Sequence, residues 1–171
     1  MSSHPFRVAL TAFALAFAPA FALAAESPQE VHGVSDAFAA PGVALAWAVA
    51  RAQGAGDATV VLRVETDNAR YPYAGMIGVD PFTRQTKAIL APAAIADRTD
   101  IAVPRAHFAD FPRTELRLYA SEPALRAGTA ALVIYYLGVP DTTPEFAATA
   151  ALESSLNDRI ARARSAPAGK P

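Results

Sequence analysis

The stretch PGVALAWAVARAQGAGDATVVLRVETD, residues 41–67, contains two runs in which large apolar residues alternate with small or polar ones. The large residues of the first run are Val43, Leu45, Trp47 and Val49. Those of the second run are Val60, Leu62 and Val64. Alternation with a period of two is typical of a strand with one face toward a core. The stretch predicts two antiparallel strands joined by a glycine-containing turn at residues 54–57.

The alanines of the first run leave a helix over residues 43–51 as an alternative. Alanine is the best helix former, and Pro41 is suited to a helix start. Trp47 and the β-branched valines on one face favour the strand, whereas a helix here would change the fold to α+β. In the second run Arg63 and Glu65 lie opposite the valines, which predicts a half-buried strand with a face toward solvent.

Two further extended runs, YAGMIGV and RQTKAIL, flank residues 80–83. Aspartate at the first turn position accepts backbone hydrogen bonds, and proline at the second has its φ angle set for a type I turn. Asp80 and Pro81 therefore predict a turn between two strands. No histidine or second carboxylate near Asp80 in sequence points to a catalytic role for it.

A loop bounded by Pro104 and Pro112 separates the next two predicted strands. Phe108 and Phe111 lie in this loop beside His107. We expect the two rings to fold back and close one end of the core, because exposing both to water is costly. The alternative is an exposed aromatic surface that binds a partner.

The run TAALVIYYLGVP, residues 129–140, is almost continuously apolar and predicts a central strand covered on both faces. Tyr135 and Tyr136 must point to opposite faces, so one belongs to the core and the other to the rim. After it, Thr142 and Glu145 form a capping-box pattern with Pro144 in the first turn, which predicts a helix over residues 141–165.

The predicted helix carries an apolar stripe of Leu152, Leu156 and Ile160 at spacings of four. Such a stripe is expected to pack on the protein's own sheet, with a partner-binding helix as the alternative. The tail, residues 166–171, is predicted to be disordered. Regularly spaced strands followed by one helix indicate a mainly β protein, an antiparallel immunoglobulin-like β-sandwich over residues 41–140 with one C-terminal α-helix. The cysteine pair of antibody domains is absent, so this is an architectural analogy.

The N-terminus, MSSHPFRVALTAFALAFAPAFALA, joins a short segment carrying Arg7 to an apolar stretch too short to span a bilayer. Small residues precede Ala25, so residues 1–24 are predicted to be a signal peptide cleaved before Ala25. A polar segment, residues 25–40, then leads into the predicted sandwich. Because no second apolar run follows that could stop transfer across the membrane, and because no cysteine occurs, we expect a periplasmic or secreted protein without membrane span, lipid anchor or disulfide.

The sequence offers little for catalysis. After the signal peptide only His32 and His107 remain as histidines, and no motif of a serine hydrolase, zinc protease or phosphate-binding loop occurs. We therefore predict a protein that is not an enzyme and has neither metal nor cofactor. A net charge of −1 argues against nucleic acid as a partner.

The leading functional hypothesis is a domain that binds a protein or a surface polymer. Its contact would be the Phe108 and Phe111 loop with His107, an edge strand or the C-terminal helix. The alternative is a small-molecule carrier or sensor with a pocket lined by Trp47 and tyrosines such as Tyr136. A third hypothesis is an enzyme that uses His107 with a distant carboxylate.

Overall fold

The computed structural model describes residues 27–34, 36–51, 57–137, 143–147 and 149–166. The strands are β1 (Gln29–Val34), β2 (Ala37–Ala40), β3 (Val43–Ala50), β4 (Thr59–Thr66), β5 (Tyr73–Val79), β6 (Thr86–Ala94), β7 (Arg98–Pro104), β8 (Arg113–Tyr119), β9 (Leu132–Leu137) and β10 (Glu145–Phe146). The helices are α1 (His107–Asp110), α2 (Glu122–Ala127) and α3 (Thr149–Ser165). The mainly β class and the C-terminal helix are confirmed. The predicted signal peptide, the turn at residues 54–56 and all of the tail except Ala166 lie outside the described residues.

The strands form two sheets, both mostly antiparallel. Sheet A has the order β1-β9-β8-β5-β6. Sheet B has the order β10-β3-β4-β7, and β2 also pairs with β3. Only the short outer pairs, β1 with β9 and β10 with β3, are parallel among the described strands. Buried side chains of both sheets belong to one apolar core.

Strand β3 confirms the strand predicted for residues 43–51 and buries both of its faces. Its valines, Leu45 and Trp47 belong to the core that the two sheets share. Its alanines pack against Leu156 and Ile160 of α3. A row of alanines leaves room for a helix to lie directly on the sheet, so the stripe on α3 packs on the protein's own sheet as predicted.

The position of α3 corrects the prediction that Arg63 faces solvent. Arg63 points away from the core, as its alternation requires, but α3 covers it and its side chain is fully buried. Nε and Nη2 of Arg63 donate to Asp100 at 2.8 and 2.7 Å. Arg63 also donates to Glu153 at 2.7 Å and to Asn157 at 2.9 Å on α3. The buried guanidinium thus joins β4, β7 and α3.

The predicted start of the C-terminal helix is wrong. Glu145 and Phe146 form β10 beside β3, and α3 begins at Thr149. The carboxylate of Glu145 accepts from Arg51 at 2.5 Å and from Arg105 at 2.8 Å instead of capping a helix. Thr142, the other half of the predicted capping box, lies outside the described residues.

The segment at residues 25–40 is also more than a polar leader. It contains β1, which borders sheet A, and β2, which pairs with β3. Val34 is buried and Val31 packs against the core, and these contacts hold β1 beside β9. His32, on the same strand, stacks on Tyr135 with ring centroids 4.3 Å apart.

Two local expectations are confirmed. Asp80 closes the turn between β5 and β6, and its carboxylate accepts from the backbone of Phe82 at 2.8 Å and from the hydroxyl of Thr83 at 2.5 Å. These hydrogen bonds, led by that of Thr83, lower the pKa of Asp80. Tyr136 lies in the core and Tyr135 on the opposite face. No helix among the described residues is long and apolar enough to span a membrane.

Candidate functional site

Strand β6 is an edge strand of sheet A, and β7 is an edge strand of sheet B. The two edges lie on the same side of the protein, because residues of both strands line one cavity. A cavity of about 390 Å³ lies between these two edge strands and α1. Its lining residues are Lys87, Ala88 and Ile89 from β6, Ala102, Val103 and Pro104 from β7, and Ala106, His107 and Asp110 around α1. We call this region the open side.

Helix α1 closes one end of the open side. Phe108 is buried in the shared core, as expected of a residue that closes the core, whereas Phe111 is half-buried. Phe111 stacks on the ring of His107 at a centroid distance of 5.0 Å. Gly78 on β5 makes this packing possible, since a Cβ there would lie 2.4 Å from Nε2 of His107 and 2.8 Å from Cβ of Phe111.

His107 is the titratable group closest to the core at this site. Its Nε2 is buried and has no hydrogen-bond partner among the described residues. Burial lowers the pKa of His107, and the positive charge of Lys87 lowers it further. The imidazole is therefore neutral at pH 7, which avoids burying an unpaired charge.

Three side chains of the cavity lining carry polar groups. Among the described residues these are the neutral imidazole of His107, the amine of Lys87 and the carboxylate of Asp110, and no hydroxyl or thiol lines the cavity. In the ranges that the structure describes, no three metal-binding side chains are grouped closely enough to hold an ion. The lining also offers apolar surface, from the half-buried Ile89 and the exposed Ala106.

The hydrogen-bond register shows which backbone groups of β7 face the open side. The amide of Thr66 donates to Asp97, and that of Arg105 donates to Ala58. In an antiparallel pair, residues bonded to the neighbouring strand alternate with residues that point away from it. Odd-numbered residues of β7 therefore bond to β4. The N–H and C=O groups of Arg98, Asp100 and Ala102 face outward, as does the C=O of Pro104.

An independent hydrogen bond supports this register. The amide of Asp67 donates to Gly42, so the odd-numbered residues of β4 bond to β3. Its even-numbered residues must then bond to β7, in agreement with the contact between Thr66 and Asp97. The pairing of β4 with β7 is regular from one end of β7 to the other.

Strand β6 presents a less regular edge than β7. Its pairing with β5 is interrupted between Ala74 and Met76 and again between Met76 and Ile77. Pro92 lies in the first of these irregular stretches and has no N–H to donate. Bulges and proline are the usual protection of an edge strand against pairing with another chain.

Two of the residues predicted to line a ligand pocket are not at this cavity. Trp47 and Tyr136 lie in the shared core and do not line the cavity between β6 and β7. The hydroxyl of Tyr136 donates to the sulfur of Met76 at 3.7 Å, and burial raises its pKa. His107 does line the cavity, while Phe108 and Phe111 hold α1 in place. The sequence analysis missed Lys87, Ile89 and Val103, because only the order of the strands brings β6 near β7.

Comparisons with protein-family models, with curated proteins and with solved structures found no match.

A network of ion pairs connects β7, at the open side, to α3. Asp100 lies on β7, and its carboxylate holds the buried guanidinium of Arg63. Glu153 on α3 accepts from the same guanidinium and from Arg98 of β7 at 2.8 Å. The hydrogen bonds from Arg63 lower the pKa of both acids, so both are ionised at neutral pH. This network connects β4, β7 and α3.

Proposed function

We propose that the protein is a periplasmic or secreted, non-enzymatic β-sandwich domain that binds a protein partner at its open side. The observation that carries this proposal is the meeting of two edge strands around a cavity of about 390 Å³. Exposed strand edges usually carry protection unless they serve recognition. The signal-peptide pattern of residues 1–24 supports the location outside the cytoplasm.

The immunoglobulin-like part of the proposal is supported by the distribution of the strands. Strands β3, β4 and β7 lie together in sheet B, while β5, β8 and β9 lie together in sheet A. An immunoglobulin-type sandwich divides its strands A, B and E from C, F and G in this way. The position of the tryptophan differs. Trp47 lies on β3, which corresponds to strand A, whereas the tryptophan of immunoglobulin domains lies on strand C, here β5.

The other surfaces considered from the sequence offer less to a partner. Phe108 is buried, so the aromatic loop does not present both of its rings. Leu156 and Ile160 of α3 are already packed on β3. The edge strands remain, and β7 keeps a regular pairing with β4 while its outer edge is open.

A small-molecule carrier is the second candidate. The cavity of about 390 Å³ falls within the size range of ligand pockets, roughly 300 to 1,000 Å³. Trp47 and Tyr136 belong to the core, so in this candidate the cavity at the open side takes the place of the pocket that the sequence predicted around them.

Site-specific photo-crosslinking in cells that export the chain tests the proposal. A photoreactive phenylalanine analogue replaces the exposed Ala102 of β7 in one variant and the exposed Ala88 of β6 in another. Matched controls carry it at the exposed Ser154 of α3 and Arg126 of α2. We expect the same protein adduct from Ala102 and Ala88 and none from the controls. An adduct from the controls alone, or no adduct at all, would contradict the proposal.

A further inference from the structure

We infer that the partner contributes an extended segment that pairs with the outer edge of β7, turns alternate apolar side chains into the cavity and carries a carboxylate for Lys87. This inference rests on the proposed function and names the chemistry of the partner at the same site. Four observations lead to it: the register of β7, the irregularity of β6, the apolar lining between them and the charge at the rim.

The first observation is that backbone groups of every second residue of β7 point away from the sheet. The N–H and C=O groups of Arg98, Asp100 and Ala102 point away from β4. These residues are exposed, and between them lie Thr99 and Ile101, whose backbone groups bond to β4. An added strand gains main-chain hydrogen bonds from groups in this alternation, whatever its sequence.

The second observation selects β7 over β6. An added strand needs partner groups at regular intervals, and the bulges and Pro92 of β6 interrupt them. The ladder between β4 and β7 has no interruption. The buried Arg63 donates two hydrogen bonds to Asp100 of β7, so this part of the edge is already positioned before a partner binds.

The third observation concerns the side chains of the added strand. Such a strand would lie about 4.8 Å from β7, on the side where the cavity separates β7 from β6. Its side chains would point alternately to the two faces of sheet B. Those on the inner face would enter the cavity, where the half-buried Ile89 and the exposed Ala106 offer apolar contact. The pairing thus requires apolar residues at every second position.

The fourth observation is the charge at the rim of the cavity. Lys87 lines the cavity and Arg84 is exposed just before β6. Neither cation forms an ion pair with another described residue. Lys87 and Asp110 are the charged residues of the described lining, and no described carboxylate lies within ion-pair distance of Lys87. A carboxylate on the partner segment would pair with Lys87 and would be attracted more strongly at low salt.

The test uses the mature chain, residues 25–171, and a displayed library of random twelve-residue peptides. We expect selected peptides to alternate apolar with polar residues and to contain Asp or Glu. The affinity of a selected, fluorescently labelled peptide is then measured by anisotropy for the original chain and three variants. Ala102→Pro removes an outward N–H without disturbing the ladder to β4, because proline is tolerated at such edge positions.

The expected loss for Ala102→Pro is about tenfold in Kd or more, since one main-chain hydrogen bond is lost and its neighbours are displaced. Ala102→Val keeps the N–H and is the matched control, with an expected change below about twofold. Lys87 is exposed on β6. The variant Lys87→Glu should also weaken binding of the peptide, by about tenfold at low salt and by less at high salt. Circular dichroism verifies that each variant is folded.

Selection of no peptide, or of peptides without alternation, would overturn the inference, as would equal affinity for Ala102→Pro and Ala102→Val. Sedimentation that shows a dimer of the chain, lost in Ala102→Pro, would overturn it too, because the occupant would then be a second copy. The failures of the two proposals are distinguishable. A crosslink from Ala102 with affinity unaffected by proline would leave the binding side standing and remove the strand pairing, whereas absence of the crosslink would remove both.

Discussion

Replacement of Gly78 by alanine is expected to lower the free energy of unfolding by about 2 to 4 kcal/mol. The new Cβ would lie 2.4 Å from Nε2 of His107 and 2.8 Å from Cβ of Phe111, both closer than carbon atoms approach in real proteins. Phe111 directly follows α1, so relief of the contact with its Cβ shifts the segment that places Phe108 in the core. Urea denaturation followed by tryptophan fluorescence measures the change.

A double-mutant cycle supplies the control for Gly78→Ala. Removing the imidazole by His107→Ala relieves the closer of the two contacts, while the Cβ of Phe111 remains in place. We therefore expect Gly78→Ala to cost less in the His107→Ala background than in the original chain. Equal costs in both backgrounds would show that α1 does not pack against Gly78 as described.

Truncation of Arg63 to alanine should destabilise the protein by about 3 kcal/mol. The change removes hydrogen bonds to Asp100, Glu153 and Asn157 and leaves a space between β4 and α3. Asp100 and Glu153 are partly exposed and can be hydrated, which limits the loss to the lower end of the range for a broken buried ion pair. Thermal and urea unfolding measure it.

The matched control for this change is Arg63→Met, which keeps most of the buried volume. Its expected cost is about 1 kcal/mol, because apolar residues of similar size often replace buried ions with little loss. A larger loss for methionine than for alanine would contradict the packing described for α3.

The free energies of unfolding of the original chain and of Arg63→Met should depend differently on pH. Arg63 lowers the pKa of Asp100 and Glu153 below their ordinary values of 3.8 and 4.5. Folded-state pKa values that are lower than the unfolded ones stabilise the fold at neutral pH, and this stabilisation is lost as the pH falls from about 4.5 through the lowered values. The original chain should lose more stability over this interval than Arg63→Met does.

Strand alternation was enough to predict β3 and β4, because each strand shows period two in its own residues. It was not enough to predict the burial of Arg63, since α3 covers that face from more than eighty residues away along the chain. β1 was missed because its only buried or half-buried apolar side chains are Val31 and Val34. Its place in sheet A depends on β9, which no local pattern reveals.

Two patterns typical of helix ends occur in the sequence, and only one of them belongs to a helix. Helix α2 has Ser121 as its N-cap, a proline in its first turn and Gly128 in the left-handed conformation after its end. These features are visible in the sequence, so α2 was predictable from it. The capping-box pattern around Glu145 failed because two arginines from β3 and β7 compete for its carboxylate.

The candidate site could be predicted only in part. His107 was singled out from the sequence as a rare histidine beside two aromatic residues, and it does line the cavity. The cavity itself arises because β6 and β7, consecutive in the chain, end different sheets on the same side. That arrangement is a property of strand order, which alternation of side chains does not determine.

Amide hydrogen exchange of the free chain, resolved by NMR, tests most directly whether β7 presents an open edge. We expect slow exchange for Thr99, Ile101 and Val103, which bond to β4, and fast exchange for Arg98, Asp100 and Ala102, which face outward. The central strand β4 is the internal control, since residues of both parities should exchange slowly there. Slow exchange along the whole of β7, or protection in the opposite alternation, would mean that the edge is covered or its register differs, and would contradict the account.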